Sequence, residues 1–184
     1  QPSKLESFTR EIVHLRETNA LVVLDRVRAA DPSFRKAWLL HGVSEPKVVA
    51  PAAGASVGHG GTAYRDASVV TFEDGEGRLR VHSLLPRERD VIVRGGLGFE
   101  FWTPGDERGG AWGSGQNWPL DPPEGGPLPE DPYLLKMWKT FWDGIDRLSP
   151  SNRRAVVPGG WRMEVSPVVP SKEDVFLHIL EIGD

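Results

Sequence analysis

Cysteine is absent from the 184 residues, which removes disulfides, thiolate metal sites and thiol nucleophiles at once but leaves the compartment open. Long hydrophobic runs are missing too. Stretches such as Ala20–Leu24 fall far short of the ~20 apolar residues that cross a bilayer as a helix, and the N-terminal stretch has no signal-peptide pattern, so no membrane is expected as a partner. Nor is there an excess of positive charge. Lys and Arg number 22 against 26 Asp and Glu, a net charge of −4, and the two signs are interspersed, so the basic face that nucleic acid demands is not in view. The first residue is Gln rather than Met, which reads as a processed protein or a piece of a longer one. What is there, 39% apolar and 26% charged residues, is the composition of a globular domain with one core.

Alternation of apolar and polar residues dominates the first half. Phe8–Leu15 and Ala20–Val27 read as two strands joined by the loop Arg16-Glu-Thr-Asn19. If Leu15 opposes Ala20, the partner numbers keep a constant sum, so Ile12 faces Val23, His14 faces Leu21 and Arg10 lands across from Asp25 as an ion pair. That role holds the hairpin in register and is simpler than reading Asp25 as a catalytic acid. A third strand, Phe34–His41, with Phe34, Trp38 and Leu40 on the same apolar face, would complete an antiparallel meander, with Lys36 extending the ion-pair ladder. Further strands are signalled at Lys47–Val49, Ala67–Phe72, Arg78–Leu85, Val91–Val93, Gly98–Trp102, Trp161–Ser166 and Val175–Leu180, with Glu73–Gly77 as a hairpin loop. The expected fold is all-β: an antiparallel β-sandwich forming one domain over 1–184.

Two stretches interrupt the pattern. Pro51–Ala63 is rich in Gly and Ala and reads as a flexible surface loop. The other, about 103–158, is a Trp-bearing insertion that opens as Gly/Pro-rich coil and contains one helix, Asp131–Leu148. Asp131 suits the N-cap and Pro132 the first helical position, while Leu134, Met137, Trp138, Phe141, Trp142 and Ile145 keep the spacing of a buried stripe.

At Phe8-Thr-Arg-Glu-Ile-Val13, Val22-Val-Leu-Asp-Arg-Val27, Lys36-Ala-Trp-Leu-Leu-His41, Trp161-Arg-Met-Glu-Val-Ser-Pro167 and Asp174-Val-Phe-Leu-His-Ile-Leu180, the chain resembles the C-terminal β-sandwich region of heparinase II/III-like polysaccharide lyases. The resemblance covers both ends of the chain and none of 51–63 or 103–158. It implies a β-sandwich that in the complete enzyme follows an α-helical toroid, β-elimination of uronate-containing polysaccharide as the reaction, and a periplasmic or secreted location. That chemistry needs a group to neutralise the uronate and a base, commonly Tyr and His, for the C5 proton. The family's His-x-His-x-Asp motif is absent from this chain, as is the toroid. The resemblance therefore implies an accessory part of a lyase, or a relative with another task, whose partners are a polysaccharide and the catalytic part of a longer chain.

The residues themselves offer three kinds of candidate. Trp102, Trp112 and Trp118 lie among Asp106, Arg108, Gln116 and Asn117, and indole faces beside amides and charges suit the C–H faces and hydroxyls of sugars. Trp38 and Trp161, in strands, and Trp138 and Trp142, on the helix stripe, read as packing instead. Were the chain a self-sufficient polysaccharide-degrading enzyme, Tyr64, one of two tyrosines, would be the candidate base, with His59 in the neighbouring loop. The five histidines, at 14, 41, 59, 82 and 178, show no metal-ligand spacing, so no cofactor is expected; a divalent metal stays open, with His41 as its candidate ligand. The third class is a purely structural assembly domain.

Overall fold

The structure is a computed structural model that describes residues 4–96, 99, 132, 135, 136, 139 and 160–183. Among them are eleven strands: β1 (Leu5–Leu15), β2 (Ala20–Ala29), β3 (Trp38–Gly42), β4 (Lys47–Val49), β5 (Ala55–Gly58), β6 (Gly61–Arg65), β7 (Val69–Asp74), β8 (Gly77–Leu85), β9 (Arg89–Gly95), β10 (Trp161–Pro167) and β11 (Glu173–Gly183). They form a six-stranded sheet, β1-β2-β11-β8-β7-β4, and a five-stranded sheet, β3-β10-β9-β6-β5. Each ladder is antiparallel. The core lies between them, with Val23, Val70, Phe72, Val81, Phe176 and Leu180 from the large sheet meeting Trp38, Val91, Met163 and Val165 from the small one. This is the all-β sandwich expected from the alternation.

The first hairpin has the register that its loop and its apolar pattern require. Leu15 pairs with Ala20, Ile12 with Val23 and Arg10 with Asp25. Asp25 points inward and is 2% exposed; Arg10 grips both its oxygens, Nε at 2.7 Å and Nη2 at 2.6 Å. The two partners are not equivalent. Arg10 keeps 44% of its side chain in solvent, so without Asp25 it could hydrate, whereas Asp25 without Arg10 would be a buried, unmatched carboxylate. Urea unfolding at pH 7 should therefore show Arg10→Ala costing about 2 kcal/mol and Asp25→Ala about half as much; equal costs would count against the asymmetry.

The meander does not extend to a third strand of the same sheet. Trp38 and Leu40 do join the core, but β3 crosses over and pairs with β10 at the edge of the small sheet. Alternation reports which face a residue takes and is silent on which sheet receives the strand. Phe34 lies in the preceding turn, and Lys36 extends no ladder: its ammonium is 3.0 Å from Asp174 Oδ2, both side chains being buried, and it donates to the carbonyl of Ser171. The pair ties the β2–β3 connection to the start of β11.

The stretch 51–63 is not a loop. It contains β5 and most of β6, a hairpin that extends the small sheet from β9. Its residues lack the β-branched and aromatic enrichment that marks a strand, and what orders them is pairing with β9. The turn is left-handed at Gly58, His59 and Gly60, with φ of 73°, 51° and 63°. The guanidinium of Arg94 donates to the carbonyls of Gly58 and His59 at 2.7 and 2.6 Å and clamps it. The β7–β8 hairpin turns through the expected glycine-bearing loop, with Asp74 paired to Gly77.

Of the segment expected to be helical, Pro132, Leu135, Lys136 and Lys139 are described, and each is helical. The stripe residues Leu134, Met137, Trp138, Phe141, Trp142 and Ile145 lie outside the described residues, as does the expected strand Gly98–Trp102 apart from Phe99, which is in a turn.

Candidate functional site

The richest constellation of polar side chains sits on the outer face of the small sheet. Along β10, Trp161, Met163 and Val165 alternate with Arg162, Glu164 and Ser166, so the first set faces the core and the second faces away. Register then brings neighbours from other strands alongside. Arg162 lies between His41 of β3 and Arg94 of β9, and Glu164 lies between Leu39 and Ile92. Arg35 reaches in from the β2–β3 connection.

Glu164 holds the group together. Its Oε1 accepts from Arg162 Nη2 at 2.6 Å and Nε at 3.1 Å, while its Oε2 accepts from Arg35 Nη2 at 2.9 Å. Burial pushes the Glu164 carboxyl up, but the charge and hydrogen bonds of Arg162 and Arg35 outweigh it, and the group titrates below the usual carboxylate range. Burial lowers the Arg94 guanidinium, Glu164 opposing and Arg162 and Arg35 assisting. The His41 imidazole is lowered by partial desolvation of its ring against the sheet and by the positive charge of Arg162. Two guanidiniums, those of Arg162 and Arg35, thus grip the Glu164 carboxylate, while Arg94, beside Arg162 on β9, acts on it through its charge alone. Arg94 and Arg162 are buried, whereas Arg35 keeps 56% of its side chain in solvent and His41 is exposed on the edge strand. The exposed guanidinium of Arg35 can receive an anion at the β3 rim.

The sequence candidates fall elsewhere. Trp102, Trp112, Trp118, Arg108, Gln116 and Asn117 lie outside the described residues. Tyr64 sits on β6 opposite Val91 and packs against the core from the inner face of the small sheet. His59 occupies the exposed β5–β6 turn with its ring edge-on to Phe99, the centroids 6.5 Å apart. No contact joins His59 to Tyr64 among the described residues. His41 has a guanidinium as its cross-strand neighbour, and no group of three His, Asp or Glu among the described residues is placed to hold a metal ion.

His178, by contrast, is core. It is fully buried on β11, its Nδ1 lies 3.1 Å from Ser83 Oγ, and its ring stacks on Trp38 with centroids 3.9 Å apart. Ser83 is itself only 4% exposed, so the pair has no opening to a substrate. A small cleft of about 80 Å³ at the Lys36–Asp174 pair is walled by Pro32, Phe34, Pro167 and Pro170, and its two charges neutralise each other.

Sequence reasoning missed the arginine cluster. The signal within β10 was legible, since Arg162, Glu164 and Ser166 share one face by alternation. The partners were not, because they required knowing that β9 and β3 flank β10. Compared with known proteins, the sequence matches no family model and no curated sequence.

Proposed function

We propose that the chain is a non-catalytic β-sandwich module, related to the C-terminal region of heparinase II/III-like polysaccharide lyases, that assists recognition of an acidic polysaccharide. The observation that carries this reading is the outer face of the small sheet, where Arg162 and the exposed Arg35 hold the carboxylate of Glu164 and Arg94 lies beside Arg162 on the neighbouring strand. Arg35 spends a single nitrogen on Glu164. The rest of its planar fork faces water, and such a fork takes a carboxylate or sulfate bidentately. Support also comes from the strand motifs of β1–β3, β10 and β11, which resemble the lyase region. The enzymatic alternative has less: the lyase His-x-His-x-Asp motif is missing, and Tyr64 serves the core while His59 serves a turn.

The test is a binding titration of the full chain against uronate-containing and neutral polysaccharides, with absorbance of unsaturated product followed in the same samples. Acidic chains should bind, the affinity should fall as salt rises, and Arg35→Ala should weaken it roughly tenfold, the loss of one charge-assisted contact. Thermal unfolding should stay unchanged, because Arg162 still covers Glu164. Absence of binding to every polysaccharide would leave a scaffold domain. Absorbance growth with the wild-type chain would make it an enzyme.

A further inference from the structure

We propose that β1 is an interface between two copies of this chain, joined edge to edge about a twofold axis that passes through Arg10. All eleven residues of β1 are exposed, and the strand pairs with β2 on one side and with nothing described on the other. The small sheet stops short of it: β3 is that sheet's edge, and its Trp38 reaches β11 rather than β1. Phe8 and Ile12, on the face of β1 that looks toward the core, consequently remain 49% and 58% exposed, and Val13 on the other face 55%.

Solitary edge strands usually carry a device against pairing, such as proline, an unpaired inward charge or a bulge in mid-strand. β1 has none of these along its length. It contains no proline, its inward charge Arg10 is held bidentately by Asp25, its outward charges Glu6 and Glu11 are paired with Arg28 and Arg26 of β2, and its register irregularity is confined to Leu5/Ser7. Any extended segment could add to such an edge. The identity of the partner comes from the residues themselves, which complement a second copy.

With the axis at Arg10 and the strands antiparallel, Phe8 of each copy faces Ile12 of the other on the inner side. On the outer side Ser7 faces Val13 and Thr9 faces Glu11. The two Arg10 side chains meet at the axis, each already neutralised by its own Asp25. Like faces must align in one continuous sheet, which restricts the alternatives to even slips in the partner number. A slip of two sets Phe8 against Arg10 or against His14, a slip of four shortens the paired stretch, and each loses the two Phe8–Ile12 pairs.

The experiment is light scattering of the full chain over a concentration series, followed by register-specific cross-linking. The wild type should approach twice 20.3 kDa. Ile12→Lys, and independently Phe8→Lys, should stay at the monomer mass with unchanged circular dichroism, since both positions are exposed. The chain has no cysteine, so a mixture of the Thr9→Cys and Glu11→Cys proteins should form a disulfide-linked dimer under mild oxidation, while neither alone does. A wild type that remains monomeric at its highest soluble concentration overturns the proposal. So does a dimer indifferent to both lysine variants, or cross-linking by either cysteine variant on its own.

Discussion

Acidification from pH 7 to pH 4 is expected to destabilise the protein by about 3 kcal/mol through a single side chain, His178. Burial lowers its imidazole to about 4 from the ordinary 6.5; the charge of Asp25 opposes the shift, and Arg89 and Arg10 add to it. The unfolded chain takes up the proton first as the pH falls, so the contribution is whole above 6.5, drains away between 6.5 and 4, and changes no further below that. Ser83 and Trp38 complete the surroundings, and neither can neutralise an imidazolium. Urea midpoints measured at intervals between pH 7 and pH 4 should follow this course. His178→Gln, neutral at every pH, should flatten the slope across that window; an unchanged slope would assign the effect to other groups, Glu164 foremost.

Trp38→Ala should cost about 3–5 kcal/mol, a large part of the stability of a domain this size. Trp38 is 5% exposed, and it is the side chain through which the edge of the small sheet touches β11. Its indole Nε1 and the Nε2 of His178 are both buried without a hydrogen-bond partner among the described residues, so the ring contributes by packing alone. Trp38→Phe, which keeps most of that packing and removes an unsatisfied donor, should cost far less. Chemical denaturation of the two variants side by side separates the contributions, and similar losses would show that the indole N–H matters after all.

These two residues also mark where sequence reasoning reaches its limit. The β1–β2 register was legible because a short loop couples neighbouring strands and alternation allows one pairing. The same alternation put Trp38 in the core correctly and then misled about its sheet, since a connection of several residues can deliver a strand to either layer. His178 showed a strand position and no more, because burial depends on what the opposite sheet supplies. The β5–β6 hairpin was illegible for a different reason: its Gly and Ala residues carry almost no strand preference, and the pairing with β9 that orders them is remote in sequence. The arginine cluster combined both difficulties. It needs contributions from β3, β9, β10 and the turn before β3, and each of these looks ordinary alone.

Gly95 and Gly160 have a consequence for how this protein tolerates change. A Cβ on Gly95 would lie 2.3 Å from the Gly160 carbonyl, and the Gly96 N–H donates to that carbonyl at 3.1 Å. The chain therefore leaves the small sheet and rejoins it through a neck no wider than a hairpin, with β9 and β10 already paired on the near side. Closing such a neck costs loop-closure entropy, and each doubling of the length of the closed segment adds only about 0.6 kcal/mol. A change of length within 97–159 is accordingly expected to leave the β9–β10 register in place, which makes this junction a natural place for an engineer to graft.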